Sequence, residues 1–394
     1  MELNIIVFVG TIEGLIYYIN RFIDHIRLKG INYMVVESNA PEMYSSKEFE
    51  EFLKLPNTVM FSFNNFGTGL FYADGTNVWK RRGIPVFDYI VDHPRNFADT
   101  FEKPACDMHV FTLDRNHVDF IRRFYPEVKG VYFSPNGGTE VGNMLPFSER
   151  PIDVIYMGGC QAEINDYPNI PLFDDAGQDF YITILGLMFG NPMLPTEKAI
   201  DMYLCQKGIT LSEEDVLELN KNVAIYLENV IRRKTKLWGL KALDDAGIKV
   251  EVYGDGFEDE EIKFSENIKL HNRIPLVELM PLIGKSKISL CFIPWYKRGC
   301  SEKNFDSMLN GALCVSDRSE YLDEHYTDGY NIIFFDLNNP SQMAADVKWL
   351  LSNPEAAAQI AQRGYETAKE NDDWDNRFEY VLKVMEEVVS DGKH

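Results

Sequence analysis

The chain has 394 residues, 45% of them hydrophobic and 13% aromatic, which is too long for one ordinary core and apolar enough for two compact domains. Lys and Arg number 39 against 61 Asp and Glu, and the resulting net charge of −22 repels phosphate backbones and anionic leaflets, disfavouring nucleic-acid and membrane-surface partners. The six cysteines, Cys106, Cys160, Cys205, Cys291, Cys300 and Cys314, show no CxxC pairing and read as reduced thiols of a cytosolic protein, neither a zinc site nor a disulfide frame.

The opening "MELNIIVFVGTIEG" carries an acid at position 2 and reaches a glycine after a short apolar run, which predicts a first β-strand rather than a signal peptide. Strand-like runs then alternate with amphipathic stretches: a helix over 13–29, "INYMVVES", a Glu-rich helix ending near Leu53, "TVMFSF", "IPVFDYIVD", "MHVFTLD", a helix over 115–124 and "KGVYFSP". Continuous apolar strands separated by helices predict an α/β, Rossmann-like parallel sheet covered on both faces.

The polar segment "SPNGGTEVGNMLPFSERP" reads as an interdomain linker, with Asn136–Gly138 giving close backbone approach at a hinge. The pattern restarts at "ERPIDVIYMGG", but the next strand, "GIKVEVYGDG", comes only after a long helical stretch. A helical insertion is therefore expected at about 161–246, ending in the first crossover helix. Its run "YITILGLMFG" is too short to span a bilayer. Alternation resumes with "ENIKLHNRI", "KISLCFIPW", "ALCVSD" and "YNIIFFD", followed by two Ala-rich helices and a last helix. The expected domains are 1–147, 148–375 and a terminal helix over 376–394 that crosses back to the first domain.

Two such sheets present strand C-termini to a ligand crevice. Neither "VGTIEG" nor "MGGCQAE" completes a dinucleotide glycine motif. The segment "KRGCSEKNFDSMLNGALCVSD", Lys297–Asp317, follows a buried strand. Ser301 is suited to cap a helix over 302–310, and Gly311 to end it. Phe305, Met308 and Leu309 form an apolar stripe, while Glu302, Asp306 and Asn310 share another face with Lys303 beside them. A solvated helix face would explain these polar groups. Two bases, Arg298 and Lys303, at a predicted ligand edge of an acidic chain point instead to an anion site built with Ser301 and Asn304 at the helix start.

In the first lobe, His93 follows a strand end in "VDHP" and Pro94 stops regular structure after it. Beside Asp92 its imidazole is a candidate base for an acceptor hydroxyl, the alternative being a histidine that only hydrogen-bonds its loop or a phosphate. The string "DWD" at 373–375 resembles a metal-binding motif but opens a helix, where acids offset the dipole, so no metal is implied.

"VYGDGF", "GCSEKNFDSMLNGALCVSD" and "DWDNRFEYVLKVM" together resemble the C-terminal lobe of GT-B glycosyltransferases, most closely the bacterial spore-coat-maturation (CgeB-like) type. The resemblance extends over 250–388, and more weakly to "FDYIVDHP" and "FTLDRNHVDFIRRFYPEVKGVYFSPNGG". It implies two Rossmann-like domains and transfer of a sugar from a nucleotide-diphosphate sugar, UDP favoured, to a hydroxyl of a protein or glycan, without metal or further cofactor. By the same resemblance Asp306 sits where the family places a ribose-binding acid, usually Glu. Arg298 and Lys303 face the diphosphate, and Tyr253, Gly254, Asn272, Arg273 and Ile274 border the base. Retaining members often carry Glu at the position of Arg298. A non-catalytic binding or chaperone subunit on this fold is the rival reading, and the insertion is a candidate acceptor or homo-oligomer surface.

Overall fold

The computed structural model describes residues 2–142, 144–160, 170–257 and 262–391. The chain divides into two compact units, residues 1–137 with 374–394, and residues 138–373. Of the expected insertion, 161–169 lies outside the described residues, as does 392–394 of the terminal helix.

In the first unit, β1 (Asn4–Val9), β2 (Asn32–Glu37), β3 (Thr58–Phe63), β4 (Val86–Ile90), β5 (Met108–Thr112) and β6 (Gly130–Phe133) form a parallel sheet in the order β2-β1-β3-β4-β5-β6. Both β3 and β4 are buried along their whole length, which is why they read as unbroken apolar runs. The last helix, Trp374–Asp391, packs on this sheet and on the helix Glu13–Leu28. Trp374 lies 4.8 Å from the Tyr18 ring, Phe378 5.2 Å from Phe22, and Asp375 pairs with His25 at 2.9 Å. The acids of "DWD" are thus spent separately, since Asp373 in the other unit faces Lys369.

The second unit holds β7 (Ile152–Met157), β8 (Val250–Tyr253), β9 (Ile268–His271), β10 (Ser286–Cys291), β11 (Leu313–Asp317) and β12 (Ile333–Phe335), in the parallel order β12-β11-β10-β7-β8-β9. Helices Asp175–Gly190 and Thr196–Lys207 lie between β7 and the long helix Glu213–Asp245. The C-terminal half of that helix buries Leu237, Leu240 and Leu243 against Val154, Val250 and Val252, making it the crossover from β7 to β8.

The first unit ends at 137 rather than 147 because the next residues are tied to the second unit's own helices. Gly138 N–H donates to the Asp372 carbonyl (2.8 Å), Thr139 N–H to the Asp306 carboxylate (2.7 Å) and Val141 N–H to the Asn310 side chain (3.0 Å).

Candidate functional site

In the second sheet the order reverses between β7 and β10, so the crossovers leaving these neighbours diverge and open a crevice at their carboxyl ends. Gly158 follows β7 there with φ +139°, a conformation side chains rarely adopt. A methyl group at this position would lie 2.6 Å from Lys303 Nζ and 3.3 Å from the Tyr156 hydroxyl. The absent side chain therefore admits the ammonium. Gly254 (φ +153°), at the end of β8, packs directly on the Gly158 carbonyl, where a Cβ would approach to 2.5 Å.

Lys303 is not the sole base at this edge. Around the half-buried Trp295 ring stand the Arg232 guanidinium at 4.6 Å, Lys236 Nζ at 5.3 Å and Lys303 Nζ at 5.9 Å from the centroid. Lys236 also donates to the Gly159 carbonyl at 2.6 Å, and Arg233 to the Gly256 carbonyl at 2.9 Å. Burial, with Lys303 as the second cause, lowers the Lys236 pKa to about 7. A buried lysine whose pKa is lowered beside further cations makes this edge a candidate anion site. Tyr156 is buried, and its hydroxyl has no hydrogen-bond partner among the described residues, a cost to the fold unless something completes it.

Trp295 is held by an inner framework. Asp317, at the end of β11, accepts Ile293 N–H at 2.6 Å, and Lys297 donates to the carbonyls of Pro294 and Pro192. Burial raises the Asp317 carboxyl to about 7, its proximity to Lys297 offsetting part of the rise.

The predicted helix forms over Glu302–Leu309, capped by Ser301, whose hydroxyl accepts Lys303 N–H at 3.4 Å and donates to Glu302 at 2.9 Å. Only Glu302 and Lys303 of its first turn are partly exposed. Asn304 is fully buried, bonded to Ser316 (2.8 Å) and facing Cys300 and Cys314, so it anchors the helix and is not a ligand group. Asp306 is likewise buried and committed to Thr139, which also removes it from the ribose role. Burial holds its carboxyl well above the usual range. The face assigned to the crevice is therefore an inner face, and its polar atoms serve a crossing backbone. Arg298 pairs with Glu320 at 2.9 Å.

Near the expected base position, the Tyr253 ring stacks on His271 at 4.3 Å and 8°, and His271 bonds Glu251. Asn272 and Arg273 are exposed and Ile274 is half-buried, with Arg273 N–H taken by Asp255 at 3.0 Å. Tyr253 keeps a ring beside Gly254, whereas the backbone edge at Arg273 is already occupied.

In the first unit, Asp92 does not orient His93 and bonds Asn64 at 3.0 Å. His93 Nδ1 accepts Arg95 N–H at 3.1 Å, capping the turn Pro94–Phe97, while its ring lies edge-on to His117 and Phe120. A neutral imidazole that accepts at Nδ1 carries its proton on Nε2, where it can donate but not act as a base. This corrects the Asp92–His93 dyad.

Tyr156, Arg232, Lys236 and Trp295 are site residues that the sequence reading missed. The available signal was Arg-Arg-x-x-Lys at 232–236, which puts Arg232 and Lys236 at i, i+4 on one helix face in an acidic chain.

The model of a family described as "Glycosyl transferase-like" matches residues 232–383, a span that includes Arg232, Lys236, Trp295 and Lys303. No curated protein matches the sequence. Among solved structures, an alpha-glucosyltransferase in complex with UDP and a 13-mer DNA is 14% identical, with TM-score 0.54 over 98% of this chain and 100% of that one. Sucrose-phosphate synthase from Thermosynechococcus elongatus is 9% identical, with TM-score 0.55 over 98% and 99%. HepE of Anabaena in complex with UDP-glucose is 9% identical, with TM-score 0.51 over 98% and 100%. At these identities the likeness is one of fold: the chain has the GT-B fold, two six-stranded parallel sheets with flanking helices.

Proposed function

We propose that the chain is a glycosyltransferase that takes its sugar from a nucleotide-diphosphate donor, a UDP-sugar, and passes it to a hydroxyl of a protein or glycan. This is the activity of the spore-coat-maturation type its motifs resemble. The observation that carries the reading is the basic cradle of Arg232, Lys236 and Lys303 around Trp295, with the unpartnered Tyr156 hydroxyl beside Gly158. When the bond from the anomeric carbon to the β-phosphate oxygen breaks, charge accumulates on the departing diphosphate. Cations already fixed in place stabilise it without reorganising. The protein side chains supply this charge, so the reading is of a metal-independent transferase with no cofactor beyond the donor. A net charge of −22 disfavours a polyanionic acceptor such as the DNA named for one structural neighbour.

The second reading, a non-catalytic binding subunit, is favoured by two specific findings: Arg298 is paired with Glu320 where retaining relatives carry an acid, and Asp306 is spent on Thr139. Incubation with UDP-, GDP- and dTDP-sugars separates the two. Slow hydrolysis of the UDP-sugar supports the enzyme, binding without hydrolysis supports the subunit, and neither one overturns both.

A further inference from the structure

We infer that a cleft at the amino ends of β3, β4 and β5 in the first unit binds a small zwitterion of the amino-acid class with an apolar side chain. The cleft has a volume of about 450 Å³ and is built by four stretches of chain: 53–58, 79–85, the start of β5, and the terminal helix at Val388. That volume falls within the ~300–1,000 Å³ typical of small-molecule sites. Open α/β sheets bind their substrates at the carboxyl ends of the strands, so a cleft at the opposite end of the sheet is a separate site.

Two opposite charges identify the ligand. Lys80 and Asp107 both border the cleft, and neither side chain has an ion pair or hydrogen bond among the described residues, with the other or with anything else. Burial pushes the Cys106 thiol up to about 12, with Asp107 adding to the rise and Lys80 opposing it, so both charges act at this end of β5. Arg82, the other cation at the cleft, is already bonded to Glu50 at 2.6 Å and to the Tyr72 hydroxyl at 3.0 Å. Opposite charges that share a cleft without pairing are both satisfied by one ligand carrying both signs, its carboxylate towards Lys80 and its ammonium towards Asp107. An anion alone would answer Lys80 and be repelled by Asp107. His109 lines the same cleft. Its Nδ1 meets the Tyr132 hydroxyl at 3.1 Å, its Nε2 has no partner among the described residues, and burial lowers its pKa to about 4, so it offers a ligand a hydrogen bond without charge. Leu55 and Val388 supply the wall for an apolar side chain.

Calorimetric titration of the full chain with L-leucine, L-methionine and L-phenylalanine tests this. At least one of the three should bind, and at least about tenfold tighter than its own amide, which lacks the carboxylate, or its deaminated acid, which lacks the ammonium. Lys80→Met should erase the preference over the amide, and Asp107→Asn the preference over the deaminated acid. Both residues are exposed, so the fold should tolerate either change, which circular dichroism and melting temperature check. If none of the three binds at up to about 20 mM, or if the two preferences survive both substitutions, Lys80 and Asp107 are merely solvated charges and the inference is overturned. Neither residue belongs to the basic cradle around Trp295, so UDP affinity should be the same in both variants as in the wild type, and failure here would leave the donor-site reading untouched.

Discussion

Asp306 Oδ1 accepts the main-chain N–H of Thr139 at 2.7 Å, joining residues 167 positions apart. Four residues on, Asn310 accepts Val141 N–H and donates to the Thr139 carbonyl, so one face of the helix grips the backbone of 139–141 as a sheet neighbour would. The same helix offers Lys303 to the anion cradle from its first turn. Asp306→Ala should therefore act on stability. Losing the acceptor leaves a buried N–H unsatisfied and costs about 1–3 kcal/mol in denaturant unfolding, while UDP affinity changes by less than about threefold. A large loss of UDP affinity with unchanged stability would restore Asp306 as a ligand group.

Lys236 links binding to pH. In the free protein its pKa is about 7, lowered first by burial and then by Lys303. A bound diphosphate favours the ammonium and raises that pKa. The protonated form prevails below about 7, so affinity for UDP is greatest there and declines as the pH rises above it. Calorimetry in buffers of differing ionisation enthalpy should show proton uptake on binding near pH 8, and Lys236→Met should abolish the uptake. Equal heats in all buffers would contradict this.

His93 is predicted to donate rather than to accept a proton. Asn can accept Arg95 N–H as His93 Nδ1 does and still present an N–H. On this account His93→Asn keeps donor turnover within about tenfold of wild type, and His93→Ala falls further. A base would be lost equally in both variants.

Asp88 sits fully buried in β4. Its Oδ1 accepts from Ser62 (3.1 Å) and Asn65 N–H (2.9 Å), its Oδ2 has no partner among the described residues, and burial raises its pKa to about 7. Folded protein thus binds more protons than unfolded between about pH 4 and 7, and stability falls as pH rises through that window. Asp88→Asn should flatten this slope and gain on the order of 2 kcal/mol relative to wild type at pH 8, a difference that shrinks towards pH 5. Urea melts at the two pH values measure it, and parallel pH profiles would refute it.

The twelve strands of the described residues were legible, the central ones because strands covered on both faces must be apolar throughout, as "TVMFSF" and "VFDYI" are. Lys303 was legible too, as a base beside a strand end in an acidic chain. Arg232 and Lys236 were not, because the crossover helix that delivers them lies well upstream of Lys303 in sequence and only the fold brings the two together. Asp306 and Asn310 were misread for a related reason. Polar residues at i, i+4 look like a solvent face until a passing backbone is known to need them.

The diphosphate is the group the basic cradle is built to hold. Calorimetric titration of the chain with UDP and with uridine tests it directly. Binding of UDP at least about tenfold tighter than uridine is expected, with Lys303→Ala erasing most of the difference. Equal affinity for UDP and uridine, or a preference for UDP that survives Lys303→Ala undiminished, would contradict it.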